Sequence, residues 1–189
     1  NVKCYTYSIE KGDFRAENVK VGNGEIHFDF VTPRETIKDI NLGVPVRINI
    51  ENAIGSMAIA WLNGVTADEL KNAISSFRGA KRRFDFLLKT DKLVFIDDYA
   101  HHPQELTSSI TSVKELYPDK KITGVFQPHL YSRTRDFVDD FARSLSLLDE
   151  LILLDIYPAR EKPIEGVTSQ IIFDKVTCEK TLCDKSELL

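Results

Sequence analysis

The stretch Leu93-Val94-Phe95-Ile96-Asp97-Asp98-Tyr99-Ala100-His101-His102-Pro103 joins an unbroken apolar run to a polar loop that ends in a helix start. Apolar residues without alternation predict a strand buried on both faces, as in a parallel sheet. Two more such runs, Ile122 to Phe126 and Leu151 to Ile156, follow at about the thirty-residue spacing of strand plus crossover helix. Between them lie helical patterns, Glu105 to Tyr117 and Ser132 to Leu148, the latter with Phe137, Phe141, Leu145 and Leu148 on one side. The reading is βαβαβ with a parallel sheet and right-handed crossovers, and Ile171 to Val176 begins another crossover.

Working outward, Phe14 to Val31 alternates, with Ile26, Phe28 and Phe30 on one face and Gly22-Asn23-Gly24 as the turn of a β-hairpin. A short extended stretch is expected around Val44 to Ile48, and Val2 to Ile9 reads as a strand beginning at Asn1. Ile54, Met57, Ala58, Trp61 and Leu62 then follow helical spacing, closed by Asn63-Gly64. Thr66 with Glu69 is a capping box that opens a second helix, with Leu70, Ala73, Ile74 and Phe77 on one face and Gly79 as terminator. The fold class is therefore α/β: a β-hairpin plus two helices over residues 1–83, then a parallel-sheet domain over 84–189. The chain opens inside an apparent strand and closes at Leu189 in what reads as a helix start, so a fragment of a longer polypeptide is expected.

Composition narrows the function. With 25 Lys and Arg against 29 Asp and Glu among 189 residues, net charge −4, no basic stripe accumulates, and neither nucleic acid nor a membrane surface is an expected partner. No apolar run reaches the roughly 18 residues of a membrane span. Three cysteines, Cys4, Cys178 and Cys183, match no metal or redox spacing and fit reduced thiols in a cytoplasmic protein.

Ligands of open parallel sheets bind beyond the carboxyl ends of the strands, so the chemistry is expected in the loops 97–103, 127–134 and 157–161. Three of the four histidines fall in the first two loops, and the topology predicts one crevice shared by Asp98, His129 and Arg133. Helix capping accounts for Pro103, Glu105 and Ser132. It leaves Asp98, Tyr99, His101, His129 and Arg133 unexplained. A metal site from Asp97, His101, His102 and Glu105 is the competing chemistry, but it lacks zincin spacing and any assisting cysteine. Arg82 and Arg83 at the joint are either solvated charges or a phosphate clamp. Asn49 is expected as an N-cap, and Asn52, one turn on, carries an amide that matches an adenine edge.

The strings 97–103, Phe126-Gln127-Pro128-His129 and Ser132-Arg133-Thr134 resemble the Mur ligase family, and specifically its alanine-adding branch. The likeness extends through Gly79-Ala80-Lys81-Arg82-Arg83-Phe84, Asn49-Ile50-Glu51-Asn52 and Pro163-Ile164-Glu165-Gly166-Val167-Thr168-Ser169. It implies the later part of a central ATPase domain, residues 1–83, and a truncated Rossmann-like C-terminal domain. The implied reaction joins L-alanine to UDP-N-acetylmuramate with ATP and Mg²⁺ in peptidoglycan synthesis, through an acyl phosphate. By the same resemblance Asn49, Asn52, Arg83 and Asp98 meet ATP. Tyr99, His101, His129 and Arg133 receive the amino acid, with His101, His129 and Arg133 nearest the chemistry. The phosphate loop, the Mg²⁺ ligands and the UDP-binding domain are implied to lie outside these residues, so this chain alone should not catalyse. Ile48 and Leu130 stand where the family often carries His and a basic residue. The alternatives are another amino-acid-adding Mur ligase, a non-catalytic Rossmann-like nucleotide-binding module or a metal hydrolase.

Overall fold

The computed structural model describes residues 2–188, so Asn1 and Leu189, the two ends of the readings above, lie outside the described residues. Two compact units make up the chain: one runs up to Asp98 and includes Glu115–Pro118, and the other comprises Tyr99–Lys114 and the chain from Asp119 on.

In the first unit, β1 (Arg15–Gly22), β2 (Glu25–Val31) and β3 (Thr36–Asn41) form an antiparallel sheet in that order. The β1–β2 turn has Asn23 at φ 53° and Gly24 at φ 73°, the left-handed pair that a tight hairpin needs. Ile26, Phe28, Phe30, Ile37 and Ile40 point inward with Phe14, and α1 (Arg47–Leu62) covers them with Ile50, Ile54 and Met57. The expected strand at Val44 to Ile48 is instead β3, a few residues earlier. Asp39 at φ 57° and a register shift between Phe28 and Phe30 break the alternation there, whereas Val44 and Val46 are buried in a connecting segment. Likewise Val2 to Ile9 makes no strand, only a single bridge between Tyr7 and Phe14.

The N-cap of α1 is Val46, not Asn49, whose amide sits inside the first turn and donates to the Val44 carbonyl at 3.2 Å. α2 (Ala67–Ser76) has the expected capping box at Thr66 and Glu69, but it ends at Phe77 rather than Gly79.

The segment Leu93–Ile96, expected as the first parallel strand, is paired differently. β4 (Asp85–Lys89) and β5 (Val94–Asp97) form an antiparallel hairpin closed by Thr90, whose N–H donates to the Leu93 carbonyl at 2.9 Å. Nor is it covered on both faces, because Leu93 and Phe95 are 58% and 56% exposed.

The second unit holds most of α3 (Pro103–Leu116), then β6 (Thr123–Phe126), α4 (Tyr131–Asp136), α5 (Val138–Leu145), β7 (Glu150–Leu154), α6 (Gln170–Phe173) and β8 (Glu179–Cys183). β6, β7 and β8 pair in parallel in that order, with the expected α6 as the last crossover. Leu106, Ile110, Phe126, Phe141, Leu145, Leu151, Leu153 and Ile172 form its core on one side of the sheet. Val125 on β6 is 52% exposed, so this strand too has one open face. The helix expected over Ser132 to Leu148 is broken at Phe137, φ −121°, and it starts at Tyr131 with Leu130 as N-cap, not Ser132. Near the C-terminal end, a 3₁₀ turn spans Lys185–Glu187. Among the described residues no helix is long and apolar enough to cross a membrane.

Candidate functional site

Beyond β6 and β7 the chain continues to pair. Tyr157 N–H donates to the Pro128 carbonyl at 2.8 Å, and Leu130 N–H to the Tyr157 carbonyl at 3.1 Å, so His129 and Tyr157 lie side by side. Their rings stack at 5.5 Å with 29° between planes. Burial, followed by the positive charges of Arg133 and His101, holds the His129 imidazole below its usual pKa, with Glu161 pulling the other way. A neutral ring at this spot can accept a proton at neutral pH.

Arg133 rises from the first turn of α4 and its Nη1 donates to the His101 carbonyl at 3.4 Å. His101 is fixed in turn: Nδ1 lies 2.8 Å from the Tyr99 carbonyl and the two rings stand 5.0 Å apart. A carbonyl only accepts, so Nδ1 carries a proton, and whenever the ring is uncharged its lone pair is on Nε2. Glu105 accepts the N–H groups of His101, at 2.9 Å, and His102, at 3.1 Å, and those bonds hold its carboxyl below the usual range. The start of α3, with Pro103 first and Glu105 in the first turn, thereby presents His101 at a set angle. Tyr99, His101, His129 and Arg133 are thus brought together in the second unit: a guanidinium, two imidazoles and a phenol.

The paired histidines part company. His102 packs edge-on against Phe137 at 5.0 Å and lines an open hollow of about 600 Å³ with Gln104, Thr107, Arg143 and Ser144. Asp97 pairs with Arg82 at 3.6 Å. Among the described residues no group of three or more His, Cys, Asp or Glu side chains is placed to hold a metal ion.

Asp98, expected in the same crevice as His129 and Arg133, belongs to the first unit, as do Asn49, Asn52 and Arg83. There Asn52 lines a hollow of about 620 Å³ whose walls include Tyr5, Tyr7, Phe14 and Ile59. Asn49 is not in its lining. Instead its Oδ1 accepts from Asn52 Nδ2 at 3.2 Å, orienting the amide that is. Gly55 lets the wall close up, since a Cβ there would stand 3.0 Å from the Tyr7 ring. Arg83 is exposed, and Asp98 Oδ1 accepts the Phe84 N–H at 3.3 Å where the chain turns at φ 50°. Neither of them lines the hollow.

Tyr157 and Glu161 fell in a loop expected to carry chemistry but were given no role, and Tyr5 and Tyr7 escaped the sequence reading. Tyr157 and Glu161 lie in the third strand-end loop, which carried the same positional signal as the first two but no histidine to draw the eye. The tyrosines near the N-terminus gave no periodic signal.

The family model for the Mur ligase, glutamate ligase domain matches residues 82–187. UDP-N-acetylmuramate--L-alanine ligase of Parabacteroides distasonis is 66% identical over 100% of this chain and 41% of its own length. The enzyme of the same name from Porphyromonas gingivalis strain W83 is 53% identical over 100% of the chain and 42% of its own length. The chain thus spans about two fifths of the length of the curated relatives it matches. In fold it is similar to the crystal structure of UDP-N-acetylmuramate-alanine ligase from Thermotoga maritima, with TM-score 0.79 and 24% identity over 98% of this chain and 41% of that one. Folylpolyglutamate synthase from the same organism gives TM-score 0.72 at 18% identity, over 92% and 40%. Since the family model spans more than half of its residues, the chain belongs to the Mur ligase family.

Proposed function

We propose that this chain is part of a cytoplasmic, ATP-dependent ligase that joins L-alanine to UDP-N-acetylmuramate in peptidoglycan synthesis. Residues 1–83 are assigned to its central ATPase domain and 84–189 to the C-terminal domain that brings the amino acid. The start of the family match at residue 82 supports that division, and the names of the similar proteins support the substrates.

The observation that carries the reading is the cluster of Tyr99, His101, His129 and Arg133. An amino acid attacking an acyl phosphate must be held by its carboxylate, with its amine free and deprotonated. The Arg133 guanidinium suits the first task, because its planar fork matches a carboxylate. The His129 imidazole, held below its usual pKa, suits the second as acceptor of the ammonium proton, with His101 Nε2 beside it. The nitrogen then bonds to the acyl carbon as the carbon–oxygen bond to phosphate breaks, giving the amide and inorganic phosphate. Holding the amine in line is itself worth much of the barrier.

On the ATP side, the Asn52 amide at the aromatic hollow is assigned to the adenine edge, with Asn49 orienting it. Arg83 is assigned to the phosphate or ribose region and Asp98 to the ribose hydroxyls. Mg²⁺ would screen phosphate charge in such a reaction; among the described residues no group of three or more His, Cys, Asp or Glu side chains is gathered to hold it.

The test is Arg133→Ala in the full-length ligase. The KM for L-alanine should rise by a factor equivalent to about 2 to 4 kcal/mol, with the KM for ATP little changed. Equal effects on both substrates would overturn the role given to Arg133.

A further inference from the structure

We propose that Glu161 is a positioning residue for the amino-acid side of the site: its carboxylate caps α4 and so fixes where Arg133 stands. The functional part of this inference rests on the reading of Arg133 given above; the structural part does not.

α4 is a six-residue helix. So short a helix has no stability of its own, and its first-turn N–H groups need an acceptor. The N-cap residue is Leu130, held at φ 74°, with no side-chain oxygen to offer. The acceptor comes instead from 29 residues downstream. Glu161 Oε2 accepts the Ser132 N–H at 2.9 Å and Oε1 accepts the Ser132 hydroxyl at 2.5 Å, so each carboxylate oxygen takes one bond from the same residue.

The Ser132 hydroxyl, then the N–H groups of Ser132 and Tyr131, hold the Glu161 carboxyl below its ordinary pKa, as a charged cap should be. Glu161 is itself set by a turn in which its N–H donates to the Pro158 carbonyl at 2.9 Å, with Ala159 at φ 51°. Arg133 is the next residue after the clamped serine. A carboxylate tied up by two donors is less free to swing onto the Arg133 guanidinium and compete with an incoming carboxylate. One residue therefore anchors the helix and holds its own charge back from the ligand.

The experiment has two arms. In this chain, Glu161→Gln and Glu161→Ala are compared by amide exchange at α4 and by NMR titration of the His129 ring. Exchange at β6 to β8 reports whether the fold is intact. The expected result is faster exchange confined to α4, greater for Ala than for Gln, and a His129 pKa lowered further in both, because the charge that raised it is gone. Unchanged α4 exchange would overturn the capping role.

In the full-length ligase, Glu161→Ala should raise the KM for L-alanine about tenfold and Glu161→Gln about threefold, with the KM for ATP within about twofold. Adding Ser132→Ala to Glu161→Ala should bring no further loss, since both remove one clamp. An unchanged alanine KM in Glu161→Ala, alongside a raised one in Arg133→Ala, overturns the positioning role. An Arg133→Ala enzyme with normal alanine KM overturns the reading of Arg133 instead, and the exchange arm still decides whether Glu161 holds α4.

Discussion

Gly43 follows β3 and its backbone presses against the end of α2. Its N–H donates to the Ile74 carbonyl at 3.2 Å. A Cβ built on it would lie 2.2 Å from the Phe77 carbonyl oxygen, 2.6 Å from that of Ile74 and 3.1 Å from that of Ser75. All three are backbone atoms, so no rotamer change relieves the collision. Opening the shortest contact from 2.2 to 3.0 Å takes 3.0 − 2.2 = 0.8 Å of movement between the segment and α2. That movement strains the last turn of α2 and stretches the bond to Ile74.

Overpacking of this kind costs about 1 to 3 kcal/mol and the weakened bond about 1. The lower entropy of an unfolded alanine returns about 0.5 to 1. Gly43→Ala should therefore destabilise the first unit by about 2 kcal/mol. Trp61 is the only tryptophan in the chain, packed edge-on to Phe14 and donating to Glu35, so its fluorescence reports this unit in a urea titration. The midpoint should fall with the slope unchanged. Gly64→Ala is the control: Gly64 has φ 88° but no atom within 4 Å of a new Cβ, so it carries only the backbone penalty of about 1 kcal/mol. A loss below about 0.5 kcal/mol in Gly43→Ala, or one no larger than in Gly64→Ala, would refute the steric argument.

Two further outcomes follow from the same unit. Burial works against protonating His27, but its bonds to Asp39 at 2.8 Å and Glu25 at 3.3 Å outweigh that and raise its pKa. A pKa raised on folding gives stability that is present below the unfolded value and lost as pH climbs through the folded one. The stability gap between the native chain and His27→Gln should then be fully present below the ordinary imidazole pKa of about 6.5 and shrink as pH rises above it; a gap that widens with pH contradicts it. The Tyr117 hydroxyl is buried without a hydrogen-bond partner among the described residues, and burial, then Glu25, raises its pKa. Tyr117→Phe should leave stability unchanged or raise it by up to about 1 kcal/mol in the same urea assay, and a clear loss would point to a bond that the geometry does not show.

Local signals were legible in the sequence wherever neighbours in sequence make the structure. The Thr66–Glu69 box, the Gly22-Asn23-Gly24 turn and the Pro103 helix start need only adjacent residues, and each stands where expected. What failed depended on distant partners. β5 has the composition of a buried parallel strand, yet its nearest partner was a strand four residues away, and the hairpin was the shorter closure. β3 was hidden because Asp39 interrupts its alternation, and β8, Glu179–Cys183, because two charges open it. At the site, residue types and strand-end position singled out His101, His129 and Arg133. Nothing local marked Glu161 as the cap of a helix 29 residues upstream, or Tyr157 as the ring beneath His129.

The divergence of His101 and His102 has a consequence for how this loop tolerates change. One imidazole belongs to a wall shared with Tyr99 and Arg133, the other to a groove shared with Phe137. Adjacent letters here answer to separate masters: exchanging His102 for a residue that still covers Phe137 leaves the wall of Tyr99 and Arg133 intact, while the same exchange one position earlier strikes it directly.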